Sequence, residues 1–283
     1  MSRLIIFIIA SCLLMSCYSE LDLDIPAHDP QIVVEGWIEQ GQSPNVILTR
    51  TAPFFTTIDS SNILDFAIST AKVEVMGGNE KEILIYRPYN IYFPPFIYFG
   101  LSLKGKVDHT YNLVVISRGD TIRAQTSIPK PVEADSVWFY KLPDSDTLGL
   151  LRLRIKDNAL EKNYYRTLVK RKRNDAKFIP TLVSVFDDAF FNGDTITINL
   201  SQGLETLLEV GKEKYFHTRD TIILKFCTID ETTFKFWQAI STETLTAANQ
   251  FSATNTSVEG NIEGGIGIWA GYGVTYDTVY YVP

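Results

Sequence analysis

Apolar and polar residues alternate with a period of two along much of this chain, and turn-forming residues break the alternation at short intervals. Gln31 to Ile38 and Asn45 to Arg50 are strand-like runs on either side of Gln40-Gly41-Gln42-Ser43-Pro44, which predicts a hairpin. Ala71 to Met76 alternates and then meets the turn Gly77-Gly78-Asn79. Glu82 to Tyr86 and Phe96 to Leu103 follow. Tyr111 to Ser117 and Thr121 to Ile128 flank Arg118-Gly119-Asp120. That tripeptide spells an integrin-binding motif, but its place between two strands predicts a tight turn. Short strands at this spacing predict an immunoglobulin-like β-sandwich over residues 27–128. In Ile128-Pro129-Lys130-Pro131-Val132 both prolines lack a ladder donor, so a domain boundary is expected there.

A second β-rich domain is expected over 132–283. Ser136 to Leu142, Leu148 to Lys156, Tyr164 to Arg171, Thr181 to Phe186, Thr195 to Leu200 and Thr221 to Thr228 read as its strands. Leu151 to Lys156 alternates cleanly, so one face should pack and the other meet solvent. One amphipathic helix is predicted over 231–251, with Asp230 as N-cap and Phe234, Trp237, Ile240, Leu245 and Ala248 as its apolar stripe. Asn261 onward reads as a glycine-rich loop followed by a final strand from Tyr276 to Tyr281. The fold class is therefore mainly β.

The N-terminus carries a different pattern. Arg3 precedes an apolar stretch from Leu4 to Leu14, which is too short to span a bilayer and has the length of a secretory signal. It ends in Leu14-Met15-Ser16-Cys17, which looks like a bacterial lipobox, so 1–16 is expected to be a lipoprotein signal peptide and Cys17 the lipidated residue. Ile9-Ala10-Ser11-Cys12 is a rival lipobox, but cleavage there leaves a very short apolar core. Two or more acyl chains hold a protein on a membrane stably where one does not. Residues 17–26 form an acidic tether with Glu20, Asp22 and Asp24. Acidic residues just after a lipidated Cys resemble a surface-export signal of Bacteroidota-type bacteria.

Charge and cysteine usage narrow the function classes. The chain has 26 Lys+Arg and 33 Asp+Glu, a net charge of −7, and 3 Cys. No basic face for nucleic acid is implied. Cleavage after Ser16 and acylation of Cys17 would leave Cys227 alone, so the fold must be stable without a disulfide. Cys227 lies in the apolar run Ile222 to Cys227 and reads as a buried small hydrophobe. None of His28, His109 and His217 has a catalytic setting, no Gly-x-Ser-x-Gly elbow exists, and no His/Cys pair has zinc spacing. Asp187, Asp188, Asn192 and Asp194 cluster but lack the alternation of a calcium loop. No catalytic residue, metal or cofactor is expected, and the chain reads as a non-enzyme. The densest candidate is Tyr86 to Phe99, rich in aromatic residues and stiffened by Pro88, Pro94 and Pro95. Tyr89, Tyr92 and Phe93 are the residues expected to contact a partner or ligand, because aromatic rings supply area at little rotamer cost.

Several segments resemble one family, the Bacteroidota lipoproteins catalogued as domain of unknown function 4249. They are Leu21 to Pro26, Ile32 to Ile38, Val46 to Phe55, Asn163 to Arg166, Asp230 to Phe234 and Asn261 to Tyr272, which together span nearly the whole chain. The resemblance implies an outer-membrane lipoprotein that accompanies a TonB-dependent receptor of the SusC type, without enzymatic activity. The expectation is an accessory or cargo-capture subunit of such an uptake complex, lipid-anchored and facing the cell surface. A stand-alone binding module for glycan or peptide is the alternative, and a hydrolase is the weakest of the three.

Overall fold

In the computed structural model the described residues are 29–53, 56, 58–59, 61–92, 94–203, 214–247 and 258–282, with the side chains of 245–247 excluded. The signal 1–16, the tether 17–26, Cys12, Cys17 and Phe93 lie outside them. The chain is mainly β. Its strands are β1 (Ile32–Glu39), β2 (Asn45–Arg50), β3 (Lys72–Gly77), β4 (Glu80–Ile83), β5 (Ile85–Pro88), β6 (Phe96–Phe99), β7 (Thr110–Ser117), β8 (Asp120–Ser127), β9 (Ser136–Lys141), β10 (Leu148–Lys156), β11 (Tyr164–Arg171), β12 (Ile179–Asp187), β13 (Thr195–Leu200), β14 (Phe216–His217), β15 (Thr221–Ile229), β16 (Ile262–Glu263) and β17 (Ile266–Tyr280), with a helix α1 (Glu231–Ala247).

These strands form three sheets. The largest has eight strands in the order β12-β11-β15-β17-β1-β2-β6-β5. A five-stranded sheet, β16-β8-β7-β3-β4, and a smaller one built of β13, β10, β14 and β9 complete the set. Period-two alternation explains how they stack. On β1 and β2, Ile32, Val34, Ile38, Val46 and Leu48 point to one face and meet Val73, Val75, Leu113, Val115 and Ile122 of the five-stranded sheet. On β11 and β15, Tyr165, Val169, Ile222, Leu224 and Phe226 meet Leu151, Leu153 and Ile155 of β10. The clean alternation of β10 thus buries one face, as its sequence predicts. On the other face Arg152 and Arg154 lie over the rings of Tyr140 and Trp138.

Both sandwiches share β17. Residues 266–272 of this strand pair in parallel with β1, whereas 273–280 pair antiparallel with β15. Trp269 is fully buried in the first core and Val279 packs in the second. The Pro129–Pro131 connector lies outside any strand, where a boundary was expected. It lies between β3, β4, β7 and β8 of one small sheet and every strand of the other, but β16 returns to the first and the large sheet runs continuously beneath both.

The glycine-rich run 264–273 corrects one expectation. A loop was predicted there, and most of it is strand. The physical reason is close backbone approach. A Cβ on Gly271 would sit 2.1 Å from the Ser127 carbonyl oxygen, and one on Gly273 would sit 2.2 Å from that of Pro129. The proline connector therefore lies directly on a glycine track of β17. The Arg118-Gly119-Asp120 turn is a hairpin turn between β7 and β8, with φ of 52° at Arg118 and 98° at Gly119.

Helix α1 begins as expected, since the Asp230 carboxylate accepts a hydrogen bond from the Thr233 N–H at 2.7 Å. Phe234, Trp237 and Ile240 pack on the opposite face of the large sheet with Tyr164, Cys227, Ile268 and Ala270. Ala248 and the side chain of Leu245 lie outside the described residues. Gly271→Ala and Gly273→Ala should each destabilise the fold by about 1–3 kcal/mol, because the connector cannot move off the strand without opening both cores. Thermal unfolding checks this, and Gly41→Ala, at a turn with φ of 71° where the new Cβ meets no neighbour, gives the cost of backbone strain without a clash.

Candidate functional site

The face of the large sheet that turns away from both small sheets carries a groove of about 1030 Å³ beside α1. The same alternation that sends apolar side chains to the cores sends a different set here. From β1 come Glu35, Trp37 and Glu39, from β17 Tyr272 and Tyr276, from β15 Lys225 and from β11 Arg166. Trp237 of α1 closes one side, and Tyr89 and Tyr92 of the β5–β6 loop close another.

Two cations lie at the floor, and they are held differently. Lys225 forms a buried ion pair with Glu39, whose second oxygen accepts a hydrogen bond from the Tyr276 hydroxyl at 3.1 Å. Burial and the nearby Glu39 carboxylate push the Tyr276 phenol well above its ordinary range. Arg166 is only 6% exposed, yet its guanidinium meets aromatic groups. It lies 3.6 Å from the Trp237 ring centroid, and Nη1 donates to the Tyr272 hydroxyl at 2.7 Å. The Trp237 indole N–H donates to the same hydroxyl at 2.9 Å. Burial pushes the Tyr272 phenol up to about 12 although Arg166 pulls it down, so Arg166 faces a neutral phenol. Among the described residues Arg166 Nε has no hydrogen-bond partner.

The aromatic wall rests on a hairpin. Pro88 ends β5 opposite Phe96 of β6, at the sheet edge where a missing N–H is tolerated. The loop between them folds over the sheet and sets Tyr92 against Trp37 with ring centroids 5.7 Å apart and Tyr89 against Tyr92 at 5.4 Å. Desolvation, Tyr89 and the Glu39 and Glu35 carboxylates push the Tyr92 phenol up to about 12.

Of the residues predicted from sequence, Tyr89 and Tyr92 line the groove, while Phe93 and Cys17 lie outside the described residues. The sequence reading missed Glu39, Arg166, Lys225, Trp237, Tyr272 and Tyr276. A signal for three of them was present. Glu39 follows the apolar pair Trp37-Ile38 at the end of β1, Lys225 interrupts the apolar run Ile222 to Cys227, and Arg166 follows two tyrosines in β11. A charge inside such a strand needs a partner or a purpose.

Other candidates are structural. Asp188 accepts the Asn163 N–H at 2.6 Å, and Asp157 accepts the Tyr165 hydroxyl at 2.7 Å and the Gly193 N–H at 3.0 Å, which braces the 187–194 turn. Cys227 is buried, and burial pushes its thiol up to about 12. Among the described residues no group of three His, Cys, Asp or Glu converges as metal ligands. The arrangement offers recognition: flat rings, a fixed ion pair and a buried guanidinium in one concave surface.

The family described as a domain of unknown function, DUF4249, matches residues 18–278. The chain belongs to the DUF4249 family. A comparison with curated proteins finds no match. In this DUF4249 chain the match covers every residue that lines the groove, from Glu35 to Tyr276.

Lys225→Met should destabilise this DUF4249 chain by about 3–5 kcal/mol, because it strands the Glu39 carboxylate in a buried site. Adding Glu39→Gln should restore most of that loss, as Gln still accepts from Tyr276. Urea unfolding of the single and double variants measures both. Alkali should also act through the raised groups. Tyr92 and Tyr272 stay protonated in the folded chain beyond the ordinary value of 10.0, and Cys227 beyond 9.0. Their contribution is complete below pH 9 and is lost as pH rises toward 12. Spectrophotometric titration should show these tyrosines ionising late, together with unfolding.

Proposed function

We propose that this chain is a non-enzymatic lipoprotein of the outer membrane of a Bacteroidota-type bacterium. Anchored through Cys17 and facing the cell surface, it serves as the accessory or cargo-capture subunit of a TonB-dependent, SusC-like uptake complex. The observation that carries this reading is the groove across the free face of the large sheet, whose aromatic and charged lining suits capture. The signal-like N-terminus supports the anchor. Two acyl chains would confine the chain and a barrel to one membrane, and the raised effective concentration lets a modest interface suffice. The described lining of the groove comes from one chain, which favours a stand-alone surface binding module for glycan or peptide as the second reading.

Purification of the full-length chain from native membranes in mild detergent tests the partner. A TonB-dependent receptor in stoichiometric amount is the expected result, and a partner-free monomer would overturn the accessory-subunit reading. The anchor has its own test. Cys17→Ala should release the chain from the membrane fraction, whereas Cys12→Ala should leave it attached; the reverse would move the lipidation site to Cys12.

A further inference from the structure

We propose that the groove binds an acidic oligosaccharide, with the Arg166 guanidinium as the seat of a uronate carboxylate and Trp37, Tyr89 and Tyr92 as contact surfaces for the sugar rings. This rests on the reading of the chain as a capture protein and assigns the class of its cargo.

The first argument is a missing counter-charge. Among the described residues no carboxylate lies within ion-pair distance of Arg166, and its Nε is unpartnered. Lys225, on the neighbouring strand β15, shows what a satisfied cation in this groove looks like: it has Glu39. A guanidinium buried to this degree without an anion is costly, and an incoming carboxylate would supply what is absent. The phenol that Arg166 touches cannot serve, because it is neutral.

The second argument is local charge. The chain is acidic overall, yet the groove lining carries Lys104, Lys170 and Lys177 beside Arg166 and Lys225, against the two carboxylates Glu35 and Glu39. Lys104 Nζ donates to the Ser43 hydroxyl at 2.8 Å and Lys170 Nζ to the Ala176 carbonyl at 2.9 Å, both neutral acceptors. These amines would favour the approach of an anion and hold it less tightly than Arg166.

The third argument selects the sugar. The groove lies on the face of a sheet whose central strands β11, β15, β17, β1 and β2 are paired on both sides. Their backbone groups are spent on one another, so an extended peptide cannot add as a further strand over them. Over these strands recognition falls to side chains. Half-buried rings beside Gln42, Ser43 and Asn45 match a ligand with flat apolar faces and a rim of hydroxyl groups. A volume of about 1030 Å³ leaves room for more than one ring.

The test is calorimetry on the full-length chain in mild detergent, with Trp37 and Trp237 fluorescence as a second readout. The probes are trisaccharides of galacturonate, glucuronate and mannuronate, the methyl esters of each, and a triglutamate peptide. At least one uronate should bind and quench tryptophan, with its methyl ester at least tenfold weaker. Arg166→Met should weaken binding of the acid about ten- to a hundredfold and leave the ester little changed. Equal binding of acid and ester would overturn the role of Arg166 without depending on any variant. Triglutamate binding in place of every uronate, or no uronate binding at all, would overturn the sugar assignment. These outcomes are independent of receptor capture. A chain that binds no uronate but still co-purifies with a barrel refutes the ligand and keeps the partner, and the opposite result does the reverse.

Discussion

Everything in this molecule hangs on the parallel pairing of β1 with β17. The register runs from Val33 with Ile266 to Glu39 with Tyr272 and joins segments near opposite ends of the chain. Gln40 extends it, because its side-chain amide donates to the Val274 carbonyl and accepts the Val274 N–H, each at 2.8 Å, across 234 positions of sequence. Closing so long a loop costs entropy before any contact repays it. The return is large, since β17 then contributes Trp269 to one core, Val279 to the second, and Ile268 and Ala270 to the layer beneath α1. Asn261 fastens the strand again by bridging the backbone N–H and carbonyl of Trp269.

The groove follows from the same pairing. β17 changes neighbour at residues 272–273, from β1 on one side to β15 on the other. Near that switch Glu39 and Lys225, borne by different strands, come within ion-pair distance, and Tyr276 completes the group. A buried pair of this kind adds little net stability over an apolar pair, and its stronger effect is on register. A one-residue slip of β1 would carry Glu39 to the core face and Ile38 into the groove. The ion pair thus ties the groove face to the fold and leaves Arg166 as a floor cation without an ion pair among the described residues.

The fold and its site differ in how far sequence could reveal them. Local alternation identified nearly every strand, because period-two burial is written in neighbouring residues such as Leu151, Leu153 and Ile155. The cap at Asp230 was legible for the same reason, since its partner Thr233 is three residues away. Tyr89 and Tyr92 stood out through their density of rings and prolines. The glycine run was legible as a place of close backbone approach, but not as a strand, because what lies on Gly271 and Gly273 is a segment more than a hundred positions upstream. Arg166 did not stand out, because its significance lies in Trp237 and Tyr272, residues of a helix and a strand far along the chain.

By itself the sequence determined the mainly β character, most strand positions, the start of the helix and an aromatic loop. Each depends on interactions between near neighbours along the chain, and periodicity and turn chemistry report those directly. Only the tertiary structure decided that β17 would unite two sandwiches, that the Pro129–Pro131 connector would lie on its glycines, and that Arg166 would be buried beside a neutral phenol. Those outcomes depend on which distant strands pair and in what register. A pattern of apolar and polar positions states which face of a strand is buried and leaves open what will cover it.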